Sequence, residues 1–320
     1  MKNIKFPDYI VSSILYAVIA SLIVQAYLLA GSFNIHFGIL PVVKTHDAAS
    51  IVPPPPYTFP NGGKILFPDY RLVALYGTPG VPALGALGQQ SLPASIARVK
   101  QIAASYQPYS KQPILPTLEI IITIASATPT SNNDYSRELP ASEIQPWITA
   151  ARANGVYVVL DLQPGRQTFL PQAEEYENLL EQPNVGLALD PEWRLGPTQF
   201  PLQQIGSANI NDINQTAEWL DALTRTHHLP QKLFLLQQFR LSMLPDRSQL
   251  DTSYPQLSYA IQMDGQGTQA QKISTWNSIL AQPPPNVYFG WKNFYLKDNP
   301  LRTPAATMSL NPEPWYVSYQ

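Results

Sequence analysis

The sequence of 320 residues contains no cysteine. Disulfides, thiolate nucleophiles, zinc–thiolate sites and acylation of an N-terminal cysteine are therefore excluded. Histidine is also scarce, and His36, His46, His227 and His228 do not have the spacing of metal ligands. We therefore predict neither a metal nor any other cofactor. A nucleophile activated by a histidine base is disfavoured for the same reason.

Charged side chains are few as well. Asp, Glu, Lys and Arg make up 13% of the chain, and the formal net charge is −2. A nearly neutral chain lacks the basic surface with which proteins bind nucleic acids, so no nucleic-acid partner is predicted. The polar residues are instead Gln, Asn, Ser and Thr, together with 17 Tyr. This composition suits an exported protein that binds neutral polar ligands such as sugars.

One long apolar run lies near the N-terminus. Residues 9–31 carry no charge and follow Lys2 and Lys5. As a helix of about 1.5 Å per residue, this run can cross a bilayer core of roughly 30 Å, and it exceeds the roughly 7–15 apolar residues of a signal peptide. We predict a signal anchor over residues 1–31, with a cleaved signal peptide or a buried core helix as alternatives. The lysines place the rest of the chain outside the cytoplasm, anchored to the membrane or secreted.

Proline is abundant, with 33 residues in the chain. Residues 32–68 include the run Pro53–Pro56 and the segment Phe59–Gly63. Pro-rich segments are extended and semi-rigid, which suits a stalk between a membrane and a domain. We therefore predict an extracytoplasmic linker over residues 32–68 and a folded domain over residues 69–320.

Apolar runs of strand length alternate with helical patterns from residue 71 onward. Eight strands are predicted, at 72–76, 118–125, 156–161, 185–190, 233–237, 257–263, 287–291 and 315–319. Helical patterns lie at 95–106, 141–154, 169–182, 211–226 and 269–280. This alternation predicts an α/β fold, a (β/α)8 barrel that is irregular after the fifth and seventh strands. An open doubly wound sheet is the alternative, but a last strand at the chain end favours closure onto the first.

Polar side chains stand where the predicted strands end. The carboxyl ends of the strands form the catalytic face of a (β/α)8 barrel, so we expect these side chains to meet in one site. The predicted catalytic residues are Glu192, Asp190, Asp161 and Asp264. The predicted substrate-binding residues are Tyr76, Glu119, Gln163, Arg166, Trp193, Gln238, Arg240, Gln262, Trp291, Lys292 and Tyr295. For any single strand end, the alternative is an acid that caps the next helix.

The fourth predicted strand ends in the most informative segment, where Asp190 and Glu192 stand two residues apart. Alternate residues of a strand share one side, so both carboxylates face the barrel mouth if the strand continues through Pro191. Neighbouring acids push their pKa values apart, which leaves one of them protonated as a general acid. Glycoside hydrolysis is a common reaction that needs only carboxylates. Aromatic residues such as Trp193 are suitable platforms for sugar rings.

The same segment resembles a known motif. Gly186–Trp193, with the sequence GLALDPEW, is similar to the fourth-strand motif Gly-x-Asp-x-Asp-x-Glu-aromatic of family 18 chitinases and related glycosidases. The resemblance implies that Glu192 donates the proton and that Asp190 assists the substrate acetamide. Ala188 stands where that family has its first Asp, and Gln262–Asp264 is loosely similar to the Met-x-Tyr-Asp segment of the family. More broadly, the chain resembles a group of exported bacterial barrel proteins related to glycoside hydrolases, which implies a location but no particular reaction.

Three functional hypotheses follow. The first is a membrane-tethered glycoside hydrolase that cleaves cell-envelope or extracellular polysaccharide, with Glu192 as general acid and Asp190 and either Asp161 or Asp264 as its partners. The second is a non-catalytic envelope protein whose barrel mouth binds a glycan or peptide. The third is a metal-dependent hydrolase using Asp161, Asp190 and Asp264. The lack of suitable histidines disfavours it, although Mg²⁺ and Ca²⁺ sites can consist of oxygen ligands alone.

Overall fold

Eight parallel strands close into a barrel in the computed structural model, which describes residues 57–60 and 62–320. The strands of the described residues are β1 (Arg71–Gly77), β2 (Ile114–Ala125), β3 (Ser136–Glu138), β4 (Tyr157–Leu162), β5 (Val185–Leu189), β6 (Lys232–Gln238), β7 (Leu257–Met263), β8 (Tyr288–Asn293) and β9 (Tyr316–Tyr319). β3 pairs antiparallel with the end of β2, and the other eight strands form the barrel. β1 pairs with β2 on one side and with β9 on the other, which closes the sheet. The predicted (β/α)8-type barrel is confirmed.

Helices follow most of the barrel strands. They are α1 (Leu92–Tyr106), α2 (Ala141–Ala153), α3 (Phe169–Glu175), α4 (Glu177–Leu180), α5 (Ile210–Thr226), α6 (Gln269–Leu280) and α7 (Pro304–Met308). The predicted irregularities are also present. Between β6 and β7 the chain forms only two short 3-10 turns, at Leu241–Met243 and Arg247–Gln249, and between β8 and β9 only the five-residue α7.

The strands are nearly continuous apolar runs because both of their faces are covered. On β5, Leu187 and Leu189 belong to the main hydrophobic core, while small residues alternate with them. Gly186 is required by close packing, since a Cβ at this position would lie 2.8 Å from the hydroxyl oxygen of Tyr157. Gly290 of β8 is restricted in the same way, because its Cβ would lie 2.9 Å from the backbone oxygen of Tyr316. Small residues thus leave room for large side chains within the barrel.

The segment before β1 packs against the barrel. The ring of Phe59 lies 5.4 Å from the ring of Tyr70 and 6.2 Å from that of Tyr157, the first residue of β4. Phe67 lies 4.7 Å from Tyr288, the first residue of β8. These contacts place the segment at the amino ends of the strands. The part of the predicted linker from residue 58 to residue 68 therefore belongs to the same compact unit as the barrel.

The predicted signal anchor or signal peptide, residues 1–31, lies outside the described residues. Within the described residues, we find no helix with the length and apolar character needed to cross a membrane. The membrane anchor and the extracytoplasmic location therefore stay predictions.

Candidate functional site

Charged side chains from five barrel strands, or from the turns that follow them, meet in the interior and at the carboxyl-terminal mouth of the barrel. We use the name acid cluster for Glu119, Asp161, Asp190, Glu192 and Asp264. The first three are almost completely buried, Glu192 is half-buried at the mouth, and the side chain of Asp264 is 7% exposed. Lys292 of β8 extends into this cluster and is itself buried. The cluster is therefore a group of carboxyls held around an ammonium.

Lys292 pairs with the acid at the end of β7. Its Nζ lies 3.2 Å from Oδ1 of Asp264, donates to Oε1 of Gln237 at 3.1 Å, and lies 3.5 Å from the centroid of the Tyr76 ring. Burial alone lowers the pKa of Lys292. The surrounding carboxylates, Asp264 above all, outweigh this effect and raise the pKa above its ordinary value. Lys292 is therefore a permanent ammonium at neutral pH and not an amine nucleophile.

Hydrogen bonds join the deeper members of the cluster. The Tyr76 hydroxyl donates to Oδ2 of Asp161 at 2.9 Å, and the Tyr316 hydroxyl donates to Oε2 of Glu119 at 2.9 Å. The amide of Gln237 donates to both acids, at 3.1 Å to Asp161 and at 3.0 Å to Glu119. Tyr76, Glu119 and Asp161 thus lie together, as predicted for strand ends that meet in one site. Gln237 and Tyr316 complete the network and were not among the predicted site residues.

The deep acids bind protons unusually tightly. Burial raises the pKa of Glu119 to about 8 and that of Asp161 to about 7, and the ammonium of Lys292 opposes the rise in both cases. Each of these carboxyls also raises the pKa of a neighbour, because adjacent negative charges repel. Oδ1 of Asp161 is buried and has no hydrogen-bond partner among the described residues. At neutral pH a large share of molecules therefore carries a proton on each of these two carboxyls.

The segment after β5 places two acids at the mouth. β5 ends at Leu189, and Pro191–Trp193 forms a 3-10 turn that Asp190 caps by accepting from the backbone N–H of Glu192 at 3.3 Å. The strand does not continue through Pro191, because proline has no N–H for the sheet and its fixed φ starts the turn. The turn nevertheless brings the carboxyls together. One oxygen each of Asp190, Glu192 and Asp264 lies within 4.8 Å of the others.

The three acids at the mouth also have raised pKa values. Burial raises the pKa of Glu192 to about 7, and the neighbouring carboxylate of Asp264 adds to this effect. Burial, then the carboxylates of Asp161 and Glu192, raise the pKa of Asp190 well above its ordinary value. Burial raises the pKa of Asp264 too, but the ammonium of Lys292 opposes it. Ion pairing thus favours the charged form of Asp264, whereas burial and then repulsion by neighbouring carboxylates favour protons on Asp190 and Glu192.

The same three carboxyls could offer oxygen ligands to a hard cation such as Mg²⁺ or Ca²⁺. However, Asp264 is already paired with Lys292. An ammonium beside these oxygens repels a second cation, and it satisfies part of their negative charge. We therefore assign no metal to the cluster.

Two predicted binding residues have structural partners instead. β4 ends at Leu162, so Gln163 leaves the barrel, and its Oε1 accepts from the backbone N–H of Ala125 at 3.0 Å. Gln238 is buried, and its Oε1 accepts from Nη1 of Arg247 at 3.0 Å. Both side-chain amides therefore join the barrel to its loops, and their hydrogen bonds among the described residues do not reach the carboxyls of the acid cluster.

Arg166 is also engaged by the loops. Its guanidinium donates to the carbonyl of Gln199 at 2.9 and 3.1 Å. It also stacks on two aromatic rings, 4.4 Å from the centroid of Tyr135 and 4.9 Å from that of Phe200. Arg166 therefore holds the loops after β2, β4 and β5 together.

The predicted aromatic platforms occupy three different environments. Trp291 is completely buried, with its ring 5.7 Å from Trp276 of α6. Trp291 faces away from the barrel interior, because alternate residues of a strand face opposite sides and Lys292 takes the inward side. Tyr295 is half-buried under the guanidinium of Arg98, 5.0 Å from its ring centroid. Trp193 is half-buried in the turn that carries Glu192 and follows that acid directly in the chain.

Gln262 and Arg240 complete the predicted set. Gln262 is buried and donates to Oγ of Ser318 at 2.6 Å, while its Oε1 has no hydrogen-bond partner in the described part of the chain. Arg240 is exposed, and its guanidinium opposes the rise in the pKa of Glu192, so it lies close enough to act on the charge of that acid. Ser318, like Tyr316, is an additional site residue, and the alternation of Tyr316 and Ser318 along the last strand is the signal that could have identified both.

No protein-family model matches the chain, and no curated protein matches it.

Proposed function

We propose that the chain is a glycoside hydrolase that acts on cell-envelope or extracellular polysaccharide, with Glu192 as the general acid. The observation that carries the proposal is the state of Glu192, which is half-buried at the barrel mouth with its pKa raised to about 7. A carboxyl with this pKa keeps a proton in a large share of molecules at neutral pH. It can donate that proton to the oxygen of a leaving sugar, which is the task of the acid in glycoside hydrolysis.

Asp264 is the best partner for Glu192. Retaining glycosidases place their two carboxyls about 5–5.5 Å apart, and inverting enzymes place them about 6.5–9.5 Å apart. Oxygens of Glu192 and Asp264 within 4.8 Å of each other favour the shorter arrangement. Lys292 stabilises the carboxylate form of Asp264, as a nucleophile or a stabiliser of positive charge requires. Glu192 then donates the proton while Asp264 faces the anomeric carbon.

Asp190 has a supporting role in this proposal. Its Oδ1 accepts from the backbone N–H of Glu192, which fixes the turn that carries the acid. With its pKa raised well above the ordinary value, Asp190 is neutral, so it adds no charge that would hold the proton on Glu192. Trp193, which follows Glu192 in the same turn, and the exposed Arg240, whose charge acts on Glu192, are the proposed contacts for a sugar at the mouth. Export and anchoring through residues 1–31 are part of the same proposal, because they give the enzyme access to an envelope polymer.

The test is the release of reducing ends from a panel of bacterial envelope and environmental polysaccharides by the purified chain. Glu192→Gln should lower the turnover about 10²- to 10⁴-fold, the usual contribution of a general acid. Glu218→Gln, an exposed position on α5, is the matched control and should keep full activity. Thermal unfolding of both variants checks the fold. Undiminished turnover in Glu192→Gln would remove Glu192 from the mechanism.

A non-catalytic glycan- or peptide-binding protein is the second candidate. The observation that favours it is the internal network, in which Glu119 and Asp161 are buried and hydrogen-bonded, and Asp264 is paired with Lys292. A glycan array with the same protein separates the two candidates. Binding to a glycan that the chain does not cleave would favour the binding protein.

A further inference from the structure

A second buried lysine lies behind the site, on the other side of the barrel wall. Lys272 belongs to α6, and its side chain is completely buried. Its Nζ donates to the backbone carbonyl of Lys292 at 2.6 Å and is bonded to the carboxylate of Asp298. The same Nζ lies 4.7 Å from the ring centroid of Trp291. Lys272 therefore contacts the strand residue whose side chain enters the acid cluster.

Asp298 connects the loops that follow β7 and β8. Its Oδ2 accepts from the backbone N–H of Phe294 at 2.9 Å, and its Oδ1 accepts from the backbone N–H of Gly267 at 3.3 Å. The N–H of Asn299 donates to the carbonyl of Gly267 at 3.1 Å, which adds a direct bond between the two loops. Together with Lys272, this carboxylate ties both loops to α6.

The two tied segments carry the ion pair of the site. Asp264 directly follows β7, three residues before Gly267, and Lys292 is the last residue but one of β8. Their side chains meet at 3.2 Å inside the barrel, while Lys272 and Asp298 hold the backbone outside it. We propose that Lys272 and Asp298 are positioning residues that fix the geometry of the Asp264–Lys292 pair.

Stability alone does not account for this arrangement. A buried ion pair is often no more stabilising than apolar residues of the same volume, because removing two charges from water costs about as much as their attraction returns. The Lys272–Asp298 pair instead fixes the orientation of the backbone at Lys292, since the ammonium of Lys272 bonds both to the carbonyl of Lys292 and to Asp298. Candidate catalytic groups need supporting hydrogen bonds of this kind to hold a productive geometry.

The charges of the two residues act on the site in opposite senses. The ammonium of Lys272 lowers the pKa of Asp264, and the carboxylate of Asp298 raises it. The other charged group that faces Lys272 is the guanidinium of Arg302, 5.4 Å from the ring centroid of Trp291. Removing either partner breaks the same ion pair, but the two removals have opposite electrostatic effects on Asp264.

The experiment compares Lys272→Met and Asp298→Asn with a matched control, Lys232→Met. Lys232 is also completely buried, but it bonds to the backbone carbonyls of Gln182 and Val185 at 2.9 and 2.7 Å, at the start of β6. NMR of lysine labelled with ¹⁵N reports the Nζ signal of Lys292, and carboxyl ¹³C NMR reports the titration of Asp264. Neither measurement needs a substrate.

In Lys272→Met and in Asp298→Asn we expect the Nζ signal of Lys292 to shift or broaden. The same signal should not change in Lys232→Met. The pKa of Asp264 should rise in Lys272→Met and fall in Asp298→Asn. Lys272→Arg keeps a donor for both acceptors and should restore the signal. If Lys272→Met does not fold, Asp298→Asn and Lys272→Arg carry the comparison. The proposal would be overturned if Lys272→Met or Asp298→Asn folds with a lower melting temperature but leaves the Lys292 and Asp264 signals unchanged. Lys272 and Asp298 would then have a purely structural role.

The consequence for turnover rests on the proposed function. If the chain cleaves polysaccharide, Lys272→Met and Asp298→Asn should lower kcat by up to about 10²-fold, with little change in KM. A loss of this size is the effect of misplacing a catalytic group by roughly 1 Å. Absence of any turnover in the wild type would refute the proposed function but not the positioning role, which the NMR measurements decide by themselves.

Discussion

Replacing Glu119 by glutamine should make the protein more stable above neutral pH. Glu119 is completely buried, and its two oxygens accept from the amide of Gln237 and from the hydroxyl of Tyr316. In Glu119→Gln one oxygen becomes an NH2 group of similar size, and the Tyr316 hydroxyl can turn to accept from it. The variant therefore removes a charge with little change in packing.

The magnitude follows from the pKa of Glu119, which burial raises from 4.5 to about 8 against the opposing ammonium of Lys292. A group with a raised folded pKa stabilises the folded state fully below its unfolded pKa. It loses that contribution as the pH rises through the folded pKa. The gap between 4.5 and about 8, at about 1.4 kcal/mol for each pH unit, corresponds to roughly 5 kcal/mol that the wild type loses between these pH values. Glu119→Gln has no such loss.

Urea unfolding of wild type and Glu119→Gln at pH 5, 6, 7 and 8 measures the effect. The two proteins should have similar stability at pH 5, and the variant should gain on the order of several kcal/mol by pH 8. Glu218→Gln, the exposed control on α5, should stay within about 0.5 kcal/mol of the wild type at every pH. Parallel curves for wild type and Glu119→Gln from pH 5 to pH 8 would refute the reasoning, because Glu119 would then not titrate in this range.

Two further predictions test the ammonium and the aromatic residues. Lys292→Met leaves the acids around it without their counter-charge, so it should lower the free energy of unfolding at pH 7 by about 3–5 kcal/mol, and by less at pH 5, where carboxyls take up protons. Denaturant unfolding at the two pH values checks this, and equal losses at both would contradict it. Trp291→Ala should cost about 3–5 kcal/mol because Trp291 is a core residue. Trp193→Ala should cost less stability but weaken polysaccharide binding, and equal stability losses in thermal unfolding would contradict the difference in burial.

The barrel could be predicted from the sequence because parallel strands covered on both faces are almost uninterrupted apolar runs. The closure of the barrel could also be predicted, and it is formed by the pairing of Tyr316–Tyr319 with β1. β3 was not predictable in this way. Its three residues, Ser136–Glu138, form no apolar pattern, and they become a strand because β2 extends far enough to pair with them.

The site was only partly predictable because the end of a strand in the sequence does not specify which way each side chain points. Strict alternation from Lys292 places Trp291 outside the barrel, which the structure confirms. Alternation fails where a strand stops. Gln163 stands two residues after Asp161, but β4 ends between them at Leu162, and the amide accepts from the N–H of Ala125, the last residue of β2. The turn at Pro191 is the opposite case, in which a broken strand still brings Asp190 and Glu192 together.

Composition could not reveal the charge state of the site. The chain as a whole is nearly neutral, with a net charge of −2, yet five carboxyls of the described residues gather around the ammonium of Lys292. Full ionisation of all five would be very costly in a buried environment, so the folded protein keeps protons on several of them. These protons explain both the expected loss of stability at high pH and the capacity for acid catalysis.

The depth of each acid in the barrel determines whether its proton affects stability or is available for acid catalysis. Glu119 and Glu192 both have raised pKa values, about 8 and about 7. Glu119 is closed off from solvent, so its proton can only affect the folding equilibrium. Glu192 is half-buried at the mouth, where a bound molecule can accept its proton. A pH-dependent stability gain in Glu119→Gln together with a loss of turnover in Glu192→Gln would therefore trace both effects to one crowded set of carboxyls, and the exposure of each acid would account for which effect it has.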